Sequence, residues 1–272
     1  MIAKTGLYVN LTYWRQTTID QMAGTSIFAA SGGKRLFSQD CHLCGVRSDA
    51  SLCRDCASDL PYRNARGCPR CAAHSSEGQL CGACLADAPA FDETVAAFCY
   101  AFPLNRLLQS YKFNENLSLT AVFSASLLAA VRRHLLQSGS ALPDRVIALP
   151  LARKRLAERG FNQSALLAKI AAGDLGIPYA PHALLKVRDT PPQAGLAREA
   201  RLKNVRGAFA CGESLAGLRI AVVDDVMTTG ATLSEAARVL KKAGASWVSA
   251  WVVARADRDA TPPRRDDASV PF

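Results

Sequence analysis

The chain has 272 residues, of which 49% are hydrophobic and 21% are charged. This composition excludes a disordered, collagen-like or fibrous protein, and the length allows one large domain or two smaller ones. The formal net charge is +10, and residues 145–206 carry 12 Lys and Arg against 4 Asp and Glu, a local excess of +8. Such an excess favours anionic partners such as phosphates, nucleotides or nucleic acid, although a solvated basic face has the same composition.

The N-terminal 36 residues lack the pattern of a secretion signal, because no apolar run follows Lys4 before Tyr13. No segment reaches the roughly 18–20 unbroken apolar residues of a membrane helix. The longest run rich in Ala and Leu, at 117–131, is interrupted by hydroxyl side chains. We therefore expect a cytoplasmic protein without membrane insertion, with a loosely ordered extension at 1–36 and a loose tail at 255–272.

Cysteine spacing is the strongest signal in the N-terminal third. Eight of the ten cysteines form four Cys-x-x-Cys pairs: Cys41/Cys44, Cys53/Cys56, Cys68/Cys71 and Cys81/Cys84. A two-residue gap lets both sulfurs of a tight turn face one centre, and two such turns supply four thiolates for a tetrahedral Zn²⁺. We predict a double zinc ribbon at 37–90 with two structural Zn²⁺ ions. Ligation by the first four and the last four cysteines is the simpler arrangement, and an interleaved arrangement remains open.

Other interpretations of these cysteines are weaker. A disulfide framework suits a small secreted domain, and a thioredoxin-like redox motif uses one pair rather than four. The symmetric pairs favour zinc over an iron–sulfur cluster, and four thiolates leave no open position for catalysis. His42 and His74 lie within this segment, but four complete pairs make a histidine ligand unnecessary. Cys99 and Cys211 lie outside the cluster and are interpreted as core or surface thiols.

After Pro89, short apolar runs alternate with helical patterns. The predicted strands are 94–100, 145–149, 218–223 and 247–253. The predicted helices are 103–113, 118–136, 161–172 and 231–243. Alternation of this kind predicts an α/β domain with a parallel sheet and right-handed crossovers, which we assign to residues 91–254.

One segment joins a predicted strand to the N-terminus of a predicted helix, where ligands bind in such sheets. It contains Asp224, Asp225, Thr228, Thr229, Gly230, Ala231 and Thr232. The helix N-terminus, the threonine hydroxyls and a glycine suit one phosphate group, while the aspartates suit neutral hydroxyls or a metal. The combination therefore predicts a sugar-phosphate site. The alternative without a ligand site is a capped helix beside an incidental pair of aspartates.

The stretch from Val222 to Leu233 resembles the phosphoribosyl-pyrophosphate (PRPP) motif of type I phosphoribosyltransferases. Residues 41–255 as a whole resemble the ComF family, in which a double zinc ribbon precedes such a domain. Residues 159–163, with the sequence Arg-Gly-Phe-Asn-Gln, are the most specific part of this resemblance. It implies a parallel-sheet type I phosphoribosyltransferase fold preceded by a small zinc-ribbon module.

The resemblance also implies roles for individual residues. Asp224 and Asp225 are expected to be the catalytic, ribose-binding carboxylates. The 5′-phosphate is assigned to Thr228, Thr229, Gly230, Ala231 and Thr232, and Mg²⁺ accompanies PRPP. The candidates for binding pyrophosphate are Arg153, Lys154, Arg155 and Arg159, unless residues 159–163 serve only to cap and pack a helix. Arg188 and Arg201 are weaker candidates, in a flexible loop or simply exposed.

The implied reaction displaces pyrophosphate from the anomeric carbon by a nitrogen nucleophile, and no residue identifies the acceptor. The alternative function is non-enzymatic, because ComF proteins are associated with DNA uptake in competent bacteria. In that case the chain binds single-stranded DNA or proteins of the uptake machinery, and the phosphate pocket is regulatory. Tyr62 is the only aromatic residue between 37 and 91 that could stack on a base within the ribbon.

Overall fold

The computed structural model describes residues 38–63, 67–75, 78–113, 116–190 and 203–257, all within one compact unit, Phe37–Pro263. The strands are β1 (Gln39–Asp40), β2 (Arg47–Ser48), β3 (Glu93–Cys99), β4 (Arg145–Ala148), β5 (Leu184–Lys186), β6 (Phe209–Cys211), β7 (Arg219–Met227) and β8 (Trp247–Arg255). The helices are α1 (Arg54–Ser58), α2 (Gly82–Ala86), α3 (Leu104–Phe113), α4 (Leu119–Ser138), α5 (Arg153–Arg159), α6 (Gln163–Leu175) and α7 (Ala231–Lys242). The predicted extension, most of the predicted tail and Arg201 lie outside the described residues.

A parallel sheet of four strands, in the order β3-β8-β7-β4, forms the centre of the fold. The two inner strands, β7 and β8, are largely apolar because both of their faces are covered. Two smaller antiparallel pairs, β1 with β2 and β5 with β6, lie outside this sheet. The α/β fold class predicted from the alternating pattern is confirmed.

The helices divide between the two faces of the sheet. Helices α3, α4 and α6 pack with Trp251 of β8 in one hydrophobic cluster, and α7 packs with Val252 of β8 in the other. By length and composition α4 is apolar enough to cross a membrane, but half of its apolar window is buried inside the fold. Within the described residues, α4 therefore has the character of a core helix.

The cysteine-rich segment lies across the edge strand β3. Its first half contributes Leu52 and Leu60 to the cluster on the α4 face, and its second half contributes Cys68 and Cys71 to the cluster on the α7 face. Between the two halves, residues 61–63 run antiparallel to β3, with main-chain hydrogen bonds of 2.8 and 2.9 Å. The ribbon thus covers an edge that would otherwise expose unpaired main-chain groups.

Strand β7 continues four residues beyond Val223, the last residue of the predicted strand. Asp224 pairs with Val252, and Met227 pairs with Arg255. The aspartate pair is therefore within the strand and not in the loop after it, which corrects the sequence prediction. The reason is the length of β8, which offers main-chain partners as far as Arg255, the first residue of the predicted tail.

Candidate functional site

The eight paired cysteines form two groups, and each group consists of consecutive pairs. The first contains Cys41, Cys44, Cys53 and Cys56, and the second contains Cys68, Cys71, Cys81 and Cys84. Within each group the sulfurs lie within 4.8 Å of one another. Sequential ligation is therefore what the fold provides, and four thiolates at this separation are the donor set of a structural zinc site.

The two groups have the same local design. In each, a tight turn carries the first pair, and the third cysteine directly precedes a short helix, α1 after Cys53 and α2 after Cys81. Gly45 closes the first turn at a φ of +74°, and Ala72 occupies the corresponding position with a φ of +53°. Within the first group the sulfurs of Cys44 and Cys53 lie 3.7 Å apart, and within the second those of Cys71 and Cys81 lie 3.6 Å apart. Both distances are far longer than a disulfide bond, and all ten cysteines are free.

Neither histidine of the ribbon belongs to a sulfur group. The His42 Nε2 lies 2.7 Å from the Ser118 hydroxyl, next to the start of α4. The His74 main-chain N–H donates to the Asp257 carboxylate at 3.2 Å. Both residues connect the ribbon to the α/β module, in agreement with the expectation that no histidine ligand is needed.

The aspartate pair contacts side chains of two helices, α6 and α3. The Ser164 hydroxyl at the start of α6 donates to Asp224 Oδ1 at 2.9 Å, and the Asp225 N–H donates to the same oxygen at 2.9 Å. Lys112, in the last turn of α3, forms an ion pair with Asp225, with 3.0 Å between Nζ and Oδ1. Side chains from two separate helices therefore converge on these two carboxylates.

Burial raises the pKa of Asp224 to about 7, and the neighbouring charge of Asp225 acts in the same direction. The charge of Lys112 and the two hydrogen bonds to Oδ1 oppose this rise. Asp224 is therefore only partly ionised at neutral pH, which limits its repulsion of a nearby anion.

The phosphate loop, which we define as Thr228–Thr232, connects β7 to α7. Gly230 has a φ of +79°, and its carbonyl accepts the first hydrogen bond of α7, from the Ser234 N–H at 2.8 Å. A Cβ atom at this position would lie 3.4 Å from the Phe91 ring. The positive φ favours glycine here, while a Cβ would make only van der Waals contact with the ring. The Ala231 N–H donates to Thr229 Oγ1 at 3.4 Å, at a helix N-terminus of the kind that binds anions.

The cations proposed for pyrophosphate lie on α5, which follows β4 after four residues. Arg153 and Lys154 are exposed, and Arg155 and Arg159 are half-buried. Asn162 caps α6 by accepting from the Ser164 N–H at 3.0 Å, and it donates to the Leu149 carbonyl at 3.1 Å. Capping, the alternative interpretation of residues 159–163, therefore describes Asn162.

Two further basic residues lie near this helix. Arg188 donates to the carbonyls of Asn204 and Arg206 at 2.8 and 2.7 Å, so it joins the two ends of the segment that contains residues 191–202. Lys186 lies over the Phe209 ring at 5.6 Å. Burial lowers the pKa of Lys186, and the charge of Arg155 acts in the same direction.

Sequence reasoning missed four residues of this site: Lys112, Ser164, Lys186 and Arg255. Lys112 and Ser164 occupy ordinary helical positions far along the chain from Asp224, and no local motif marks them. Lys186 belongs to the basic segment, in which the sequence marks only the total charge. Arg255 directly follows an apolar strand, and a charged residue at that place predicts the start of the tail.

Comparisons with known proteins support both modules. A double zinc ribbon domain model matches residues 34–85, and a phosphoribosyl transferase domain model matches residues 162–271. The DNA utilization protein YhgH of Salmonella typhimurium is 34% identical over 79% of this chain and 96% of its own length. Competence protein F of Haemophilus influenzae is 33% identical over 75% of this chain and 84% of its own length. Adenine phosphoribosyltransferase from Saccharomyces cerevisiae is similar over 53% of this chain and 72% of that structure, with 18% identity and a TM-score of 0.34.

Proposed function

This chain belongs to the ComF family, and from that premise we propose that its α/β module binds PRPP together with Mg²⁺. The observation that carries the proposal is the order of groups along β7 and α7. Two adjacent carboxylates, of which Asp224 accepts from the Ser164 hydroxyl and from the Asp225 N–H, are followed by a turn at positive φ and by a helix N-terminus. A sugar with a phosphate group presents hydroxyls and an anion in that same order.

The proposed roles follow from this order. Asp224 and Asp225 accept hydrogen bonds from the ribose hydroxyls, and the phosphate loop holds the 5′-phosphate with its amides and threonine hydroxyls. The pyrophosphate is assigned to the cations of α5, with Arg155 first because it is half-buried and its charge acts on a second cation, Lys186. Mg²⁺, when bound, offsets the charge of the pyrophosphate as it leaves. Residues 37–90 form the zinc ribbon and 91–254 the PRPP-binding module.

A calorimetric titration with PRPP tests this proposal, with and without Mg²⁺, on the wild type and on Asp224→Asn/Asp225→Asn. Magnesium-dependent binding by the wild type, lost in the variant while its zinc content and circular dichroism are unchanged, supports a PRPP site. A folded, zinc-loaded wild type that does not bind PRPP refutes it. If binding is found, turnover is measured as pyrophosphate release with a panel of nitrogenous acceptors.

Nucleic-acid binding is the second candidate function, and the local charge of +8 over residues 145–206 favours it. Two relatives are named for DNA utilization and competence. Binding of single-stranded DNA through this surface predicts an affinity that falls steeply with salt and with Arg153→Ala/Arg155→Ala/Arg159→Ala. The same affinity should not respond to Asp224→Asn/Asp225→Asn, which separates this function from PRPP binding.

We also propose that the protein acts in the cytoplasm without membrane insertion. Two four-cysteine zinc sites need reduced thiols, which reducing compartments maintain. Among the residues that the structure describes, the one helix with the length and apolar character of a membrane span is half buried in the core. Fractionation of cells that express the full chain, followed by extraction with salt and detergent, tests this assignment.

A further inference from the structure

A single buried arginine connects the second four-cysteine group to the phosphate loop. Arg255 is the last residue of β8, and only 7% of its surface is exposed. Its Nε donates to the carbonyl of Cys71 at 2.8 Å. Its Nη1 donates to the carbonyl of Thr228, the first residue of the phosphate loop, and to that of Met227 at 3.4 Å.

These contacts fix two peptide planes of the loop. In a trans peptide the C=O and N–H groups point in opposite directions within one plane. Holding the Thr228 carbonyl towards Arg255 therefore directs the Thr229 N–H to the opposite side of the loop. The Met227 carbonyl is held in the same way by Arg255 and by the Ala256 N–H at 2.9 Å, which directs the Thr228 N–H. Aligned amides of this kind form an anion-binding concavity.

The Nε of Arg255 is held by the ribbon, through the Cys71 carbonyl. Cys71 lies in the turn 68–72, closed by hydrogen bonds of 2.8 Å from Cys68 N–H to the Ala73 carbonyl and from Ala72 N–H to the Cys68 carbonyl. Cys68 and Cys71 both belong to the second four-cysteine group, so a bound zinc would hold the two ends of this turn together, and its loss would remove that constraint. The position of the Cys71 carbonyl, and with it that of the guanidinium, therefore depends on zinc in the second group.

We propose that Arg255 is a positioning residue for the phosphate loop and transmits the zinc occupancy of the second group to it. The inference rests on the proposed function, because it concerns the same site. It makes the second zinc site a determinant of ligand affinity, while the first zinc site only supports the fold. By linkage, the ligand must then strengthen zinc binding at the second site by the same factor.

Arg63 provides a matched control for Arg255. It is also buried, at 9% exposure, and it also joins the ribbon to the end of β8, by an ion pair of 3.0 Å with Asp257. Its described contacts, with Asp257, Cys99 and β3, do not include the phosphate loop. Loss of either arginine disturbs ribbon docking, but only loss of Arg255 frees the Thr228 carbonyl.

The first test measures binding of ribose 5-phosphate by calorimetry, because this probe carries the sugar and its 5′-phosphate and needs no Mg²⁺. Arg255→Met is expected to weaken binding about tenfold or more, as for loss of hydrogen bonds to a charged donor. Arg255→Lys replaces the guanidinium group with a single ammonium group, so its affinity should lie between those of the wild type and Arg255→Met. It replaces Arg255→Met in this test if the methionine variant does not fold. Arg63→Met should bind within about twofold of the wild type.

The second test compares Cys81→Ser with Cys53→Ser, which remove the corresponding, equally half-buried ligand of each group. Cys81→Ser should weaken ribose 5-phosphate binding like Arg255→Met, and the combined variant should be no weaker than either alone. Cys53→Ser should bind like the wild type. In a competition with a zinc-selective chelator, ribose 5-phosphate should protect one zinc per chain in the wild type and none in Arg255→Met.

The outcomes separate the two claims. A wild type that binds neither PRPP nor ribose 5-phosphate refutes the proposed function and this inference with it. A wild type that binds, with Arg255 variants of unchanged affinity or with Arg63→Met equally impaired, refutes the inference alone. Equal loss of affinity in Cys81→Ser and Cys53→Ser, or no zinc protection by the ligand, also overturns it.

Discussion

Lys112 and Asp225 form an ion pair at the candidate site, with 3.0 Å between Nζ and Oδ1. Both side chains are largely buried, with exposed fractions of 23% and 12%. The lysine comes from the last turn of α3, and the aspartate comes from the carboxyl end of β7. The contact therefore ties a helix of one face to the strand that carries the proposed ribose-binding carboxylates.

Removing this lysine should destabilise the fold. Lys112→Met leaves Asp225 beside Asp224 without its nearest cation, so we expect a loss of about 1–2 kcal/mol, between the values for exposed and buried pairs. Denaturant unfolding measures this loss. In an Asp225→Asn background the same change should cost almost nothing. Arg106→Met, an exposed cation on the same helix, is the control, and a similar loss there would contradict the assigned role of the pair.

The raised pKa of Asp224 predicts a pH-dependent stability. Its ordinary value is 3.8, and its folded value is about 7. Between these values the folded state binds more protons than the unfolded state, so stability falls as pH rises. From pH 6 to pH 8, the wild type should lose about 1 kcal/mol relative to Asp224→Asn, or roughly 2–4 °C in thermal midpoint.

Thermal unfolding of the wild type and Asp224→Asn over this pH range measures the difference directly. Other titrating groups, including those of the zinc sites, are common to both proteins and cancel in the comparison. Glu158→Gln, which removes an exposed carboxylate on α5, should keep the wild-type profile. Parallel profiles for the wild type and Asp224→Asn would show that the carboxyl is already ionised at pH 6.

Zinc removal should unfold the ribbon while the α/β module survives in a weakened form. Metal binding supplies about 10–16 kcal/mol per structural zinc at neutral pH, and the ribbon has little apolar surface of its own. The sheet also loses the burial of Leu52 and Leu60, about 3–6 kcal/mol in total. Chelation should therefore expose residues 37–90 to protease and lower the thermal midpoint of the remainder, and added Zn²⁺ should reverse both effects.

Circular dichroism and limited proteolysis, with zinc content measured on the same samples, test this prediction. Retention of helix signal together with cleavage confined to the ribbon is the expected pattern. A zinc-free protein whose ribbon resists protease as well as the loaded protein would contradict it. Complete loss of the helix signal would instead make the α/β module dependent on the metal.

The assignment of pyrophosphate to α5 predicts a selective effect of Arg155. PRPP and ribose 5-phosphate share the sugar and the 5′-phosphate, and only PRPP carries pyrophosphate. Arg155→Ala should therefore weaken PRPP binding about tenfold, as expected for loss of one charge-assisted contact. The affinity for ribose 5-phosphate should stay within about twofold of the wild-type value. Lys169→Ala, an exposed cation on α6, should change neither affinity. Equal losses for both ligands would place Arg155 at the 5′-phosphate instead.

Much of the architecture follows from local pattern. The apolar runs locate β7 and β8, and the regular spacing of Leu233, Ala236 and Leu240 locates α7. Each of these patterns lies within one short stretch of sequence. Paired cysteines locate the two metal groups for the same reason. Sequential pairing within each group could only be preferred from spacing, since it depends on how the chain folds across β3.

The remaining parts of the site depend on contacts between distant segments. Three helices and two strands come together at the carboxyl end of the sheet. Only this arrangement brings Lys112 and Ser164 to the aspartates and Arg255 to the phosphate loop. The strand assignment ended too early at Val223 because a charged pair normally marks a strand end. Here Asp224 and Asp225 continue the strand, since β8 pairs with them and Lys112 compensates their charge.

The central claim is that the phosphate loop holds the 5′-phosphate of PRPP, and ³¹P NMR of PRPP bound to the protein tests it most directly. The 5′-phosphate and the two pyrophosphate phosphorus atoms give separate resonances. The 5′-phosphate resonance should shift and broaden with wild-type protein, and it should return to its free position with Gly230→Ala, which cannot adopt the loop geometry without strain. A 5′-phosphate resonance that stays at its free position while the pyrophosphate resonances broaden would contradict the claim.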